Sequence, residues 1–218
     1  MKHLFFDFDG TIADSEVGIL NGIRYMIDKM GLTPLDDATY RTFIGPSLSA
    51  SLNKYYPELT QDQVNQTIGY YQEIYTKTGI FELELYPGIV DALAEMKAAG
   101  YQLHVASAKP EVMIERIVAH FNLGQYFTGL YGATLDEGIR STKTQVLAYA
   151  IEQSQADPTQ SVMIGDRDND MLGGAANHLP TVGVLYGFGS EGELTESGAK
   201  ALAKTPAEIL PAVKTILG

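Results

Sequence analysis

The sequence contains no cysteine among its 218 residues, and lysine and arginine together number 15 against 27 aspartates and glutamates. Without cysteine there are no disulfides, no thiolate metal sites and no cysteine nucleophile, a composition compatible with a reducing cytoplasm. The formal charge of -12 argues against a nucleic-acid partner, because phosphate backbones are bound by clustered lysine and arginine.

Long hydrophobic runs are also missing from the sequence. No window reaches the roughly 18 to 20 apolar residues that a membrane span needs. Asp7 and Asp9 interrupt the apolar N-terminal stretch, where a signal peptide needs an unbroken one. We therefore expect a cytoplasmic protein with no membrane partner. Hydrophobic residues make up 45% of the chain, which is enough for a packed core.

Five short apolar runs predict the strands of a parallel sheet, because several are apolar at consecutive positions, as in strands covered on both faces. Between them, apolar residues recur at three- and four-residue steps, which predicts helices. The alternation predicts an α/β fold with a doubly wound parallel sheet. Thr205 and Glu208 predict a capping box before the last helix. The predicted strands are residues 2–8, 102–107, 129–133, 161–165 and 181–185, and the predicted helices lie around residues 89–96, 113–121, 146–150 and 209–216.

The first two predicted strands are separated far more widely than the others. They lie roughly 100 residues apart, whereas the later strands begin about 20 to 30 residues apart, as βα units require. The intervening segment carries a helical stripe at Leu20, Ile23 and Ile27 and a second long helical pattern over residues 60–78. We predict a small all-helical domain at residues 15–83, inserted into a core of residues 1–14 and 84–218.

Polar residues follow the strands at the carboxyl edge of the predicted sheet, where ligands of open α/β sheets bind. Asp7 and Asp9 are two residues apart, so a strand directs both to the same side. Two neighbouring carboxylates repel each other unless a cation or a shared proton compensates. The pair is therefore suited to bind Mg²⁺ or to act as nucleophile and acid/base, although Asp9 followed by Gly10 is also typical of a simple turn.

Ser107 and Lys143 follow the second and third strands. The hydroxyl of Ser107 and the free amides of the next helix start form a corner that accepts an anion, although such a serine often only closes a turn. A lysine at a helix start is unfavourable for the helix dipole, so Lys143 needs an anionic partner or is solvated.

Acidic residues at 166, 168 and 170 follow the fourth strand. Acidic side chains also favour helix N-termini for general electrostatic reasons. The conjunction is decisive, because four successive strands end in residues suited to a phosphate and a divalent cation. The sequence therefore predicts one site for both at this edge of the sheet.

Together these motifs resemble the haloacid dehalogenase-like hydrolase superfamily over essentially the whole chain. The helical insertion corresponds to the cap domain of that family, and two further stretches, 86–88 and 186–190, resemble its phosphoglycolate phosphatase-like branch. The motifs that carry the resemblance are D-x-D-G-T at 7–11, Ser107, Lys143 and G-D-x-x-x-D at 165–170.

The resemblance implies a role for each matching residue. Asp7 would attack phosphorus to form an aspartyl-phosphate, and Asp9 would protonate the leaving alcohol and then activate water. Thr11 and Ser107 would bind phosphate oxygens, and Lys143 would neutralise charge on the nucleophile and phosphoryl group.

The resemblance also implies a Mg²⁺ cofactor. Its ligands would be Asp7, the backbone carbonyl of Asp9 and Asp166, and Asp170 would be a further ligand or would hold a metal-bound water. Asp168 is not expected to contact the metal directly. Ala108 stands where this branch often has asparagine, so its backbone amide is expected to take part in phosphate binding.

Four further residues are candidate substrate contacts. Gly45 and Ser47 lie in a segment, 43–47, that resembles the cap loop facing substrate, although a Gly-Pro pair is also typical of a plain turn. Arg24 and Lys109 are candidates for binding a second anionic group on the substrate, and a solvated surface charge is the alternative for each.

We therefore predict a Mg²⁺-dependent phosphatase that hydrolyses a small phosphoglycolate-like monoester and is a monomer or homodimer. The alternatives are a 5'-nucleotidase acting on nucleoside monophosphates, a sugar-phosphate mutase and, outside the enzymes, a phospho-accepting switch module. Gly187, Gly189 and Gly192 match dinucleotide-binding spacing, but they lack the βαβ unit and distal acid that this motif needs, so a loop is predicted there. His3 and His104 lie within apolar strands and are expected to pack there.

Overall fold

The computed structural model describes residues 1–135 and 139–218. These residues form two compact units, one made of Met1–Asp14 and Leu85–Gly218 and the other of Ser15–Glu84. The assignment of the units as core and cap domain stays a prediction.

Eight strands lie along the described chain, and six of them form one parallel sheet in the order β5-β4-β1-β6-β7-β8. The two remaining strands, β2 and β3, have two residues each. The strands are β1 (His3–Phe6), β2 (Ala13–Asp14), β3 (Glu84–Leu85), β4 (Gln102–Pro110), β5 (Gly129–Ala133), β6 (Ser161–Gly165), β7 (Thr181–Val184) and β8 (Ala201–Ala203).

Ten α-helices are described, four in the second unit and six in the first. Short 3₁₀ turns at Gly79–Phe81, Pro158–Gln160 and Pro206–Glu208 accompany them. No helix in the described ranges is both long and apolar enough to cross a membrane. The helices are α1 (Glu16–Met30), α2 (Asp37–Arg41), α3 (Leu48–Tyr55), α4 (Gln61–Tyr75), α5 (Ile89–Ala98), α6 (Glu111–His120), α7 (Lys143–Ser154), α8 (Asp168–Ala176), α9 (Glu191–Glu196) and α10 (Ile209–Leu217).

The predicted α/β class with a doubly wound parallel sheet is confirmed. Every residue of β1, β6 and β7 is buried, which explains why these strands are apolar at consecutive positions. On one face, Phe5 and Met163 of the sheet pack with Val146, Leu147 and Ala150 of α7. Burial of this apolar surface, at about 25 cal/mol per Å², is the main force holding helix to sheet.

Two details of the sequence prediction were wrong. The strand β8 was not predicted, because Ala201–Ala203 is short and lacks the β-branched and aromatic residues that indicate a strand. The predicted capping box at Thr205 does not form, since the Thr205 side chain makes no capping bond. Glu208 instead accepts a hydrogen bond from the Lys204 N–H at 2.8 Å, and the α-helix begins after it, at Ile209.

The order of the strands determines where a ligand-binding crevice lies in the sheet. The chain runs from β1 outward to β4 and β5 and then returns to β6 on the other side of β1, so the order reverses at β1. Such a reversal opens a crevice at the carboxyl ends of the central strands. Asp7, Ser107 and Asp166 lie at or near the carboxyl ends of β1, β4 and β6.

The second unit is mostly helical, and its two long helices follow the predicted patterns. In α1 the stripe of Leu20, Ile23 and Ile27 is buried. At the start of α4, Thr60 and Gln63 form a complete capping box, which explains why the helix begins there. The short helices α2 and α3 have too few residues to show a periodic pattern in the sequence.

Candidate active site

Asp7 follows β1 directly and is 3% exposed. Its N–H donates to the Ile164 carbonyl at 2.9 Å, so the sheet pairing of β1 with β6 extends to this residue. Its Oδ1 accepts hydrogen bonds from the Phe8 N–H at 2.7 Å and from the Lys143 ammonium at 2.6 Å. Because both of these donors hold Oδ1, the carboxylate is fixed and its Oδ2 is the oxygen suited to react.

A tight turn follows Asp7 and places the next acidic residue. The Phe8 carbonyl accepts the N–H groups of Thr11, Ile12 and Ala13 within 3.3 Å. Gly10 has a φ of 82°, and a Cβ there would overlap the carboxylate of Asp166. The glycine of D-x-D-G is therefore required by both its backbone conformation and its close contact.

Lys143 connects the carboxylates of this site. Its ammonium lies 2.6 Å from Asp7 Oδ1 and 2.8 Å from Asp170 Oδ1, and it donates to the Ala106 carbonyl at 3.1 Å. These three acceptors match the three N–H donors of a lysine. The anionic-partner interpretation of this helix-start lysine is therefore correct, and the solvated alternative is wrong.

Asp166 and Asp170 are both fully buried. Asp170 Oδ2 accepts the N–H groups of Asp166 and Arg167, each at 3.1 Å, and so closes the start of α8. Asp166 Oδ2 accepts the Phe188 N–H at 2.8 Å, and the Thr11 hydroxyl donates to Asp166 Oδ1 over a longer 3.4 Å. Each carboxylate is thus oriented by backbone donors.

Asp7, Asp166 and Asp170 form a buried acidic cluster whose ligand atoms lie within 4.8 Å of one another. Burial, with repulsion from Asp170 and Asp7, raises the pKa of Asp166 well above its ordinary value. Burial also raises the pKa of Asp170 to about 6, although Lys143 opposes this shift. Burial alone would lower the pKa of Lys143, but the carboxylates of Asp170 and Asp7 raise it above 10.5.

Three buried carboxylates thus lie together, and the Lys143 ammonium contacts two of them, Asp7 and Asp170. The excess of negative charge in a buried site disfavours ionisation unless a cation compensates, which is what the raised aspartate pKa values express. Carboxylate oxygens are the ligands that Mg²⁺ prefers. The residues present therefore fit a divalent cation.

Asp9 is held by Lys109. The Lys109 ammonium lies 3.1 Å from Asp9 Oδ2, and both side chains are largely buried. Lys109 was expected to bind a second anionic group of the substrate or to be a solvated charge; in the structure it is an internal ion-pair partner, so the solvated alternative is wrong.

Ser107 and Ala108 lie beside this site in β4. Ser107 is 2% exposed, and its hydroxyl accepts the Lys109 N–H at 3.3 Å. The strand continues to Pro110, beyond the predicted end at Ser107, and its pairing with β5 shifts register between Ser107 and Pro110. This irregularity lies where the phosphate-binding corner was predicted.

The candidate substrate residues of the second unit have local partners. Arg24 forms an exposed ion pair with Asp37 at 2.8 Å. Ser47 caps α3 by accepting the Ala50 N–H at 3.2 Å. Gly45 has a φ of 105°, a conformation typical of a turn glycine. A role for any of them in substrate binding stays a prediction.

The middle aspartate of the acidic loop, Asp168, is not expected to contact the metal directly. Asp168 is outside the cluster of Asp7, Asp166 and Asp170, and its carboxylate accepts the Asn169 N–H at 2.7 Å.

One group of the site was not predicted from the sequence, the backbone N–H of Phe188, which donates to Asp166 Oδ2. The available signal was the pair of glycines flanking Phe188, which indicates a close approach of the backbone to another group.

Comparison with known proteins gives the family. The family described as haloacid dehalogenase-like hydrolase matches residues 4–184 of this chain. A 5'-nucleotidase of Pseudomonas aeruginosa is 32% identical over 192 residues, which cover 88% of this chain and 86% of the nucleotidase. A phosphoglycolate phosphatase of Psychrobacter arcticus is 27% identical over 195 residues, which cover 85% of this chain and 84% of that enzyme.

Two further similarities extend this picture. Tyrosine-protein kinase PtkA of Mycobacterium tuberculosis is 35% identical over 187 residues, which cover 85% of this chain but only 62% of the kinase. The crystal structure of a predicted phosphatase from Clostridium acetobutylicum has a TM-score of 0.91 at 35% identity, with 99% of this chain and 98% of that chain covered. Since the family match covers most of the sequence, this chain belongs to the haloacid dehalogenase-like hydrolases, in their phosphoglycolate phosphatase-like branch, and is a hydrolase of phosphate monoesters.

Proposed function

We propose that this phosphatase is Mg²⁺-dependent, acts on a small phosphoglycolate-like monoester and proceeds through an aspartyl-phosphate on Asp7. One observation carries the proposal: the Asp7 carboxylate is fixed by two donors on Oδ1 within a buried cluster of three carboxylates and one ammonium. A fixed, buried carboxylate beside a cation site is suited to nucleophilic attack on a phosphoryl group.

In the first half-reaction, Asp7 Oδ2 forms a bond to phosphorus while the bond from phosphorus to the ester oxygen breaks. Asp9 donates its proton to the departing alkoxide, so the alcohol leaves neutral. The Lys143 ammonium, already 2.6 Å from Asp7 Oδ1, stabilises the negative charge around the nucleophile.

In the second half-reaction, a water molecule attacks the same phosphorus. Asp9, now a carboxylate, accepts a proton from that water, and the bond from phosphorus to Asp7 breaks. Inorganic phosphate leaves and Asp7 is restored. Ser107, Thr11 and the amide of Ala108 are proposed to donate hydrogen bonds to the phosphate oxygens in both steps.

Asp7, Asp166, Asp170 and the carbonyl of Asp9 are proposed to hold the cation. When bound, Mg²⁺ neutralises charge on the phosphoryl oxygens and orients the phosphate. Asp166 supports this set best, since its Oδ2 accepts the Phe188 N–H at 2.8 Å while its Oδ1 has the longer 3.4 Å contact with the Thr11 hydroxyl. In Asp170, Oδ2 accepts backbone N–H groups and Oδ1 is shared with the Lys143 ammonium.

A second candidate substrate is a nucleoside monophosphate. The relative named 5'-nucleotidase is 32% identical to this chain, compared with 27% for the phosphoglycolate phosphatase, so the nucleotide substrate has its own support. A sugar-phosphate mutase and a phospho-accepting switch module share the same first half-reaction. They differ in the fate of the phosphoryl group, which a time course of phosphate release reveals.

The test is turnover of p-nitrophenyl phosphate, phosphoglycolate and a panel of nucleoside monophosphates, each with Mg²⁺ and with EDTA. We expect turnover only with Mg²⁺ in wild type and none in Asp7→Asn. Asp170→Asn is expected to lose Mg²⁺ activation, whereas Asp168→Asn, two residues away and outside the cluster, serves as its matched control. The ranking of substrates then chooses between phosphoglycolate and nucleotides.

Several results would contradict the proposal. Undiminished turnover in EDTA would exclude the cation, and activity of Asp7→Asn would exclude the nucleophile. A stable phosphoprotein without phosphate release would identify the switch module, and phosphoryl transfer to a sugar phosphate would identify the mutase. Size-exclusion chromatography tests the proposed monomer or homodimer.

A further inference from the structure

A glycine-containing loop, residues 186–190, packs against the acidic site but takes no part in the proposed reaction. It connects β7 to α9. The Tyr186 hydroxyl donates to the Thr11 carbonyl at 3.0 Å, and the Tyr186 ring lies edge-on to Tyr86 with centroids 4.8 Å apart. The loop is thereby attached to the D-x-D-G-T turn, of which Thr11 is the last residue.

The same loop contacts Asp166 through its backbone. The Phe188 N–H donates to Asp166 Oδ2 at 2.8 Å. A Cβ at Gly187 would overlap Asp166 Cβ and the Gly10 carbonyl, and a Cβ at Gly189 would overlap the Asp166 carbonyl. Glycine at both positions lets the backbone approach close enough for this hydrogen bond, which explains the first two glycines of the spacing that matches dinucleotide-binding motifs.

Glu193 holds the other side of the acidic loop. Its Oε1 accepts the Arg167 side chain at 2.8 Å and the Asp168 N–H at 3.0 Å, so one carboxylate oxygen fixes two successive residues after Asp166. Glu193 is itself placed by the helix start, where Ser190 Oγ accepts its N–H at 3.1 Å. Asp166 is thus flanked by contacts from a single short segment.

We propose that the 186–190 loop and Glu193 are positioning residues that set the affinity of the site for its divalent cation. The Phe188 N–H occupies Asp166 Oδ2, so Oδ1, whose contact with the Thr11 hydroxyl is longer at 3.4 Å, is the oxygen offered to the cation. Glu193 keeps the backbone after Asp166 in the conformation that this arrangement needs. This inference rests on the proposed function, because it takes Asp166 as a metal ligand. Residues that orient metal ligands in this way commonly affect metal affinity about 10- to 100-fold.

The experiment measures Mn²⁺ binding to metal-free protein, with free Mn²⁺ followed by electron paramagnetic resonance, so that no turnover is needed. Glu193→Ala is expected to weaken Mn²⁺ binding about 10-fold. Glu191→Ala, an exposed acid in the same helical turn, is the matched control and is expected to bind as wild type does.

A glycine pair gives a second, independent comparison. Gly189→Ala is expected to weaken binding at least as much as Glu193→Ala, because its methyl group would displace the Asp166 backbone. In Gly192→Ala the added methyl group meets only Ser190 Oγ, at 3.9 Å, so this control is expected to bind normally. If Gly189→Ala does not fold, Tyr186→Phe and Glu193→Ala still test the loop.

Two readouts separate positioning from general damage. In Glu193→Ala, turnover on p-nitrophenyl phosphate should return to the wild-type value at saturating Mg²⁺, while the Mg²⁺ concentration for half activation rises. Glu193→Gln keeps an oxygen acceptor for Arg167 and the Asp168 N–H, so it should recover most of the Mn²⁺ affinity. A loss of turnover that excess Mg²⁺ does not restore would contradict the proposal.

Asp166→Asn distinguishes a failure of the positioning role from a failure of the proposed metal site. If Asp166→Asn weakens Mn²⁺ binding but Glu193→Ala, Gly189→Ala and Tyr186→Phe all bind as wild type does, only the positioning role is wrong. If Asp166→Asn itself binds Mn²⁺ normally, the metal site of the proposed function is wrong, and the positioning role fails with it.

Discussion

Ion pairs in the two units of the protein differ in their burial. In the first unit, Lys143 pairs with Asp7 and Asp170, and all three side chains are at most 5% exposed. In the second unit, the side chains of Arg24 and Asp37 are 46% and 57% exposed. Exposed pairs contribute about 0 to 1 kcal/mol, whereas removing one partner of a buried pair costs roughly 3 to 5 kcal/mol.

The difference shows where the protein fixes its charges before substrate arrives. The charges of the first unit are held in place by backbone donors and by each other, so little reorganisation is needed when negative charge develops during phosphoryl transfer. The exposed charges of the second unit exchange partners easily with water or with a bound anion. Substitutions at buried charges and at exposed charges are therefore expected to have effects of different size.

The largest expected effect comes from removing the buried ammonium. Lys143→Met leaves Asp7 and Asp170 without their shared cation, so we expect kcat to fall roughly 100- to 1,000-fold and the free energy of unfolding to fall by about 3 kcal/mol. Steady-state kinetics and urea denaturation measure the two effects. Arg41→Met, which breaks the exposed pair with Glu16, is the control and should change stability by less than about 1 kcal/mol. Equal losses of stability in Lys143→Met and Arg41→Met would contradict the expected difference between buried and exposed ion pairs.

The second effect is a loss of stability between pH 6.5 and 4 that arises from a buried histidine of the first unit, whereas residues 15–84 contain no histidine. Burial, with repulsion from His3, lowers the pKa of His104 from 6.5 to about 4. Between these values the unfolded chain binds a proton that the folded state excludes. The His104 contribution to stability is therefore complete above pH 6.5 and is lost as the pH falls towards 4, by roughly 3 kcal/mol in full.

His104→Phe removes this titration while keeping an aromatic ring beside Phe5, on which His104 stacks with centroids 5.0 Å apart. We expect the free energy of unfolding of the variant to depend less on pH between 6.5 and 4 than that of wild type, whatever its value at pH 7. Urea denaturation at several pH values measures the slope. An unchanged slope would place the acid sensitivity elsewhere.

The third effect is stabilisation by the cation. If Mg²⁺ binds the proposed site in the folded state alone, then at about 100 times its Kd it should stabilise the protein by about 2.7 kcal/mol. Without a cation, burial raises the pKa of Asp170 from 3.8 to about 6 in the folded protein. Between these values the folded state binds a proton that the unfolded chain releases, so the free energy of unfolding falls as the pH rises. Mg²⁺ replaces that proton, so the gain in Tm over EDTA should be larger at pH 7.5 than at pH 5. Calorimetry at both pH values tests this, and equal gains would contradict it.

Much of the site could be predicted because it depends on topology. Asp7, Lys143 and Asp170 are distant in sequence, but each follows a strand of a parallel sheet, and parallel strands bring their carboxyl ends to one edge. The helix-start position of Lys143 left two alternatives, an anionic partner or a solvated side chain, and its buried ion pairs decide between them. These inferences use residue type and spacing, which the sequence displays directly.

The remaining features depend on contacts that residue type does not reveal. The Phe188 N–H that orients Asp166 is a backbone group, and every residue except proline has one. The pairing of Lys109 with Asp9 was not predicted, because a lysine after a strand is equally suited to substrate or solvent. The capping box at Thr205 had the right residues, but Glu208 reached one residue further back, to Lys204. A choice between available partners depends on atomic positions.

The smallest expected effect tests the exposed charges of the second unit. Arg24→Met and Arg41→Met each break one exposed ion pair, with Asp37 and with Glu16, so both should change stability by less than about 1 kcal/mol. If Arg24 binds a second anionic group of the substrate, Arg24→Met should raise KM for phosphoglycolate several-fold with little change in kcat, since uniform binding is lost. KM for p-nitrophenyl phosphate, which has no second anionic group, should not rise, and Arg41→Met should leave both KM values unchanged. A rise for both substrates, or for neither, would exclude Arg24 as the group that binds a second anion of the substrate.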